Sequence, residues 1–123
     1  MFPHDESKTY FEGKTAELLH VFLENKGRIA EECLEETGWK LSEIDHFFMH
    51  HVSKKTFEIV AGGLGVGSKK FYNVIEDHGN MAAASIPYAM SEACKSNKLK
   101  KGDKIMLIGL ASGISISIQL IIW

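Results

Sequence analysis

Short runs of aromatic and β-branched residues alternate along this chain with longer stretches in which apolar residues recur every three or four positions, and that alternation restricts the fold more than any other feature. Ile44-Asp45-His46-Phe47-Phe48-Met49, Phe71-Tyr72-Asn73-Val74-Ile75, Lys104 to Leu110 and the strictly alternating Ile114-Ser115-Ile116-Ser117-Ile118-Gln119-Leu120 read as strands, with Thr9-Tyr10-Phe11 a short first one. Between them, Leu18, Leu19, Phe22, Leu23, Ile29, Ala30, Cys33 and Leu34 mark one face of an amphipathic helix, with Gly27 placed to bend or split it and Gly38 to stop it. Ser53 is positioned to cap a second helix through Phe57, Ile59, Val60 and Leu64, loosened by Gly62, Gly63, Gly65 and Gly67. Met81 to Met90 carries no charge and reads as a third helix, buried on several sides. This order predicts an α/β fold: a mixed, mostly parallel five-stranded sheet with helices on both faces and an antiparallel pair at the end.

With 123 residues the chain is long enough for one domain with a core and too short for two. Fourteen Lys plus Arg stand against sixteen Asp plus Glu, a net charge of -2, so there is no basic field to gather nucleic acid or an anionic membrane. The polar opening lacks the pattern of a secretory signal, and no apolar run reaches the roughly 18 residues of a membrane span. Cys33 and Cys94 stand apart without a CxxC pair and read as free, buried thiols in a reducing compartment, which makes a cytoplasmic protein the expectation.

Chemistry has few places to sit. His46, His50, His51 and His78 lack metal-ligand spacing, and adjacent histidines on a strand point to opposite faces, so no metal site is expected. The glycine cluster carries Ser68 where a dinucleotide fingerprint needs its third Gly, and it closes a helix instead of opening one. His50 ends one strand and Asn80 follows the next at the start of a helix, which suits two groups meeting outside the carboxyl ends of parallel strands. A hydrogen-bonded core His and a helix-capping Asn are the alternative at this point.

From roughly Phe11 to Trp123 the chain resembles the C-terminal half of a β-ketoacyl-acyl-carrier-protein synthase III, a thiolase-fold condensing enzyme. The motifs are Ile44-Asp45 with the strand ending in His50, and His78-Gly79-Asn80-Met81-Ala82-Ala83-Ala84-Ser85-Ile86-Pro87, similar to the family's G-N-T-S-A-A-S-[IV]-P. Lys101-Gly102-Asp103 is similar to its K-P-G-D turn and Leu110-Ala111-Ser112-Gly113 to its glycine-rich loop. The family's catalytic His and Asn stand thirty residues apart, the separation of His50 and Asn80, so the register selects His50 over His51. Met49, His51, Val52 and Ser53 then replace the other residues of its P-H-Q-A-N.

The resemblance implies a decarboxylative condensation of an acyl thioester with malonyl carrier protein in fatty acid or related biosynthesis. His50 and Asn80 would be catalytic, and Leu110, Ser112 and Gly113 would form the oxyanion and acyl-pocket loop. Lys54 and Lys55 would contact acyl carrier protein. Coenzyme A and phosphopantetheine thioesters are implied as substrates, with no permanently bound cofactor. The nucleophilic Cys is implied in an N-terminal half absent from this sequence, so the chain alone is expected to be inactive and to self-associate as a homodimer through the small-residue helix. A non-catalytic thiolase-fold subunit that binds a carrier protein is the alternative.

Overall fold

Phe47 and Met49 on one side and Phe48 on the other are fully buried, so the strand that carries them is covered on both faces. A computed structural model describes residues 15–50, 52–111 and 115–123. Strand β1 (His46–Met49) pairs parallel with β2 (Lys104–Ala111), which pairs antiparallel with β3 (Ser115–Ile122), giving the order β1-β2-β3. Helices α1 (Thr15–Thr37) and α2 (Lys54–Leu64) cover one face, where Phe22, Leu34, Phe57, Val60 and Ala61 pack with Phe47, Met49, Met106 and Ile108. Helix α4 (Ser85–Lys95) covers the other, where Ala89 and Ala93 pack with Phe48, Ile105 and Leu99. The period-2 alternation of the strands thus divides their side chains between two cores.

The sheet differs from the expected one. Among the described residues it has three strands, not five, and its two ladders are one parallel and one antiparallel, so it is mixed without being mostly parallel. The expected strand at Thr9-Tyr10-Phe11 lies outside the described residues. The expected strand at Phe71 to Ile75 shrinks to a single parallel bridge from Phe71 to Phe47, continued by the Tyr72 N–H donating to Phe47 O at 3.0 Å. Asn73 ends it: its Oδ1 accepts from the Ile75 N–H at 2.8 Å and turns the chain into the short helix α3 (Ile75–His78). A side chain that satisfies a nearby backbone donor removes that donor from a ladder, which is the physical reason the strand stops.

Other expectations resolve locally. Helix α1 runs through Gly27 without a break, held by the buried face that includes Phe22, Ala30 and Leu34. At its end Gly38 adopts φ 70°, and its N–H and that of Trp39 donate to Glu35 O and Leu34 O at 3.2 and 3.1 Å, closing the helix where a Cβ would be strained. Ser53 caps α2, its hydroxyl accepting from the Thr56 N–H at 3.2 Å. The expected helix from Met81 begins instead as a single 3₁₀ turn at Ala82–Ala84 and becomes α-helical at Ser85, with Ala82, Ala83 and Ala84 exposed. The thiols also differ from expectation: Cys33 is half-buried and Cys94 is exposed. No helix among the described residues is long and apolar enough to cross a membrane.

Candidate active site

Because β1 and β2 run parallel, their carboxyl ends emerge on the same side, and the residues following each are brought together. His50 follows β1 directly, its backbone N–H donating to Ile108 O of β2 at 3.0 Å, so its position is set by the sheet. Beside it opens a cleft of about 460 Å³ lined by His50, Leu110, Ala111, Ser115, Ser117 and the small-residue segment at Ala82, Ala83 and Ile86. That volume falls in the range of small-molecule sites, and its walls are mainly apolar with an imidazole and two hydroxyls among them.

Gly109 shapes the floor of this cleft. It pairs across the antiparallel ladder with Ser117, and a Cβ at 109 would run into the Ser117 hydroxyl. The two positions therefore share the space of one side chain, which leaves the floor narrow and lets Ser117 Oγ reach it.

Asn80 does not line the cleft itself. It stands two residues before Ala82, and its Oδ1 accepts the Ala82 N–H at 2.8 Å. Ala82 is held at φ 49°, a left-handed conformation that a residue with a Cβ adopts only when its surroundings enforce it. The Asn80 side chain is exposed, and the backbone bond engages only its Oδ1, leaving the amide N–H groups out of that bond. The structure thus shows the turn-capping reading of Asn80, through the bond its Oδ1 accepts.

Of the remaining sequence-derived site residues, Leu110 lies in the cleft, while Ser112 and Gly113 lie outside the described residues. Lys54 is the first residue of α2, and its ammonium is paired with Glu76 of α3. Lys55 is exposed and forms none of the ion pairs found among the described residues. Burial, with a smaller contribution from the Glu36 carboxylate, pushes the Cys33 thiol above its ordinary value, the opposite of what activates a nucleophile. Sequence reasoning missed Ala82, Gly109 and Ser117: nothing in an alanine run marks a left-handed residue, and only strand register reveals the Gly109–Ser117 pair.

The chain thus presents an α/β layer with a cleft past the carboxyl ends of two parallel strands, where His50 issues from one strand and Asn80 holds the segment along its wall. The chain belongs to the 3-oxoacyl-[acyl-carrier-protein] synthase III C-terminal family, whose model matches residues 34–123. It is 32% identical over 131 residues to a β-ketoacyl-[acyl-carrier-protein] synthase III of Clostridium tetani, a match covering 97% of this chain and 39% of that protein. It is also 34% identical over 86 residues to an acyl-CoA:acyl-CoA alkyltransferase of Xanthomonas campestris, covering 70% of this chain and 25% of the relative. Among solved structures, the cerulenin-bound OleA of Xanthomonas campestris superposes with a TM-score of 0.84 at 30% identity, over 89% of this chain and 34% of the other. The 3-oxoacyl-(acyl carrier protein) synthase III of Xanthomonas oryzae pv. oryzae gives 0.84 at 29% identity, over 89% and 32%. The fold is therefore that of the thiolase-like condensing enzymes, and the chain spans well under half the length of these relatives.

Proposed function

We propose that this chain is the C-terminal half of a 3-oxoacyl-acyl-carrier-protein synthase III-like acyltransferase, whose N-terminal half supplies a nucleophilic Cys. The observation that supports this most directly is the placement of His50 and Leu110 in one cleft beside the segment that Asn80 ties down. In this reading an acyl group from a coenzyme A thioester is carried on the Cys sulfur. Malonyl on the phosphopantetheine of a carrier protein loses carbon dioxide, and the electron pair of the broken C–C bond forms an enolate. The enolate carbon attacks the acyl carbonyl, and collapse of the tetrahedral intermediate expels the Cys thiolate and releases a 3-oxoacyl thioester.

His50 and Asn80 act as neutral N–H donors to the malonyl thioester oxygen, where negative charge develops. A Lys in either place would pair with the malonyl carboxylate and oppose its loss. The backbone N–H at Ser112 serves the acyl-Cys oxyanion, with Leu110 and Gly113 shaping the acyl pocket. The reaction is placed in fatty acid or related biosynthesis in the cytoplasm, with no permanently bound cofactor. In the intact protein the N-terminal half covers the exposed small-residue face at Ala82 to Ala84, and in the isolated chain a second copy takes its place.

The purified 123-residue chain is expected to show no condensation of acetyl-coenzyme A with malonyl carrier, because proximity of nucleophile and donors is most of what such a site provides. Joined to an upstream half bearing a Cys at the start of a buried helix, it is expected to condense them. Activity of the chain alone would sink the proposal. An upstream half without such a Cys would leave a non-catalytic carrier-binding subunit as the reading. The likeness to an acyl-CoA:acyl-CoA alkyltransferase makes a second acyl-coenzyme A the necessary comparison substrate in that assay.

Carrier docking is assigned chiefly to Lys55, since the Lys54 ammonium is already engaged. Reversing charge at Lys55 should raise the KM for malonyl carrier several-fold, with a salt-dependent loss of kcat/KM, and leave coenzyme A-dependent acylation unchanged. Equal losses in both half-reactions would instead mean damage to the fold.

A further inference from the structure

Lys54 lies four residues past His50 and Glu76 four residues before Asn80, and the two meet: Lys54 Nζ donates to Glu76 Oε1. The pair joins the first turn of α2 to α3, segments otherwise separated by a turn and a bridge. Helix α3 has only four residues, of which Ile75 alone is not exposed, so packing places it weakly. A second tie holds its other end, where His78 Nε2 meets Tyr88 Oη of α4 at 3.1 Å with the rings edge to face at 4.8 Å. Asn80 follows that end after Gly79, so the loop that carries it hangs between one tie to α2 and one to α4.

We infer that Lys54 and Glu76 are a positioning pair, which sets the separation of the loop bearing His50 from the loop bearing Asn80 and so the spacing of the two donors. This rests on the reading of His50 and Asn80 as donors to one thioester oxygen. The Lys54 hydrogen bond holds the Glu76 carboxyl below its ordinary range and the Lys54 ammonium is held correspondingly above its own, so both stay charged across neutral pH. Each side chain is 65% exposed, and ion pairs so exposed add little to stability. Donor geometry is far less forgiving, since a displacement on the order of 1 Å is enough to cost much of a rate. The pair's signature is therefore kinetic and not thermal.

The test compares Glu76→Gln, Lys54→Gln and the reversed pair Lys54→Glu/Glu76→Lys in the full-length protein. Each single variant is expected to lower kcat for malonyl decarboxylation about three- to ten-fold, with acylation of the nucleophile and Tm unchanged, and the reversed pair to recover most of the loss. Raising salt to about 0.5 M should lower the parent's kcat toward that of the single variants and leave theirs in place. Glu76→Gln separates positioning from docking, because it frees the Lys54 ammonium: a docking role would lower the KM for malonyl carrier and spare kcat. In the 123-residue chain itself, the Asn80 side-chain amide resonance should shift in Glu76→Gln and return in the reversed pair, a readout that needs no activity. Single variants with parental kcat, or a reversed pair no better than the singles, overturn the inference. Asn80→Ala in the same assay tests the underlying reading separately: unchanged decarboxylation there removes the donors and the positioning pair together, whereas a deficient Asn80→Ala beside a parental Glu76→Gln removes only the pair.

Discussion

Replacing His50 or Asn80 by alanine in the full-length protein is expected to cut malonyl decarboxylation by about 10²-fold or more for each donor removed, while acylation of the nucleophile is largely spared. On the proposed reading the two half-reactions separate, because His50 and Asn80 would act on the malonyl thioester and not on the acyl-Cys. The His50 backbone is anchored to Ile108 O at 3.0 Å, so removing its imidazole deletes a donor without releasing the strand end. Asn80 is less simple, since its Oδ1 also holds the Ala82 N–H at 2.8 Å and alanine removes both functions. Asn80→Asp separates them: the carboxylate still accepts from Ala82 but has no N–H to donate, and it adds negative charge where the proposed reaction would form its enolate. Decarboxylation lost in Asn80→Asp, with the acyl-enzyme still seen by mass spectrometry, identifies the donor role. Labelled carbon dioxide released at the parental rate by Asn80→Asp would return Asn80 to turn capping alone.

What the sequence made legible follows the range over which each signal acts. Strand β3 was marked by period-2 alternation, β2 by the apolar run after the polar turn at Lys98 to Asp103, and α2 by the Ser53 cap, all signals carried within a few residues. Two parallel strands ending on one side put His50 in a cleft, as element order implied, but Asn80, expected to meet it there, does not line that cleft, and Leu110, which does, was named only through the family resemblance. The Phe71 to Ile75 run misled because its aromatic and β-branched composition describes burial, which Phe71 and Val74 do have, while the backbone was decided by one Asn73 carbonyl. The ion pairing of Lys54 was not legible: its charge was plain in the sequence, but its partner, Glu76, stands 22 residues away on another helix. Gly27 was given too much weight because helix propensity is small against a packed face holding Phe22 and Leu34.

Phe47→Ala is expected to cost about 3–5 kcal/mol, a large share of the roughly 5–15 kcal/mol that holds a domain of this size together. Phe47 is fully buried, stacks on Phe71 with ring centroids 4.9 Å apart and 19° between planes, and Phe71 in turn takes the edge of Phe57 from α2 at 6.2 Å. The ring therefore supports both neighbours of β1: the bridge at Phe71 on one side and the packing of α2 above it. Deleting it leaves a cavity that a four-residue strand pinned by its ladder to β2 is poorly able to close. Three residues further on stands His50, so the same cavity loosens the strand end that presents the imidazole. Phe47→Leu, which keeps most of the volume, should cost much less and retain the donor geometry. Chemical denaturation of the two variants measures the difference directly. A loss below about 1 kcal/mol in Phe47→Ala would mean that the Phe47–Phe71–Phe57 cluster does not hold β1 to α2, and that the placement of His50 rests on the β2 ladder alone.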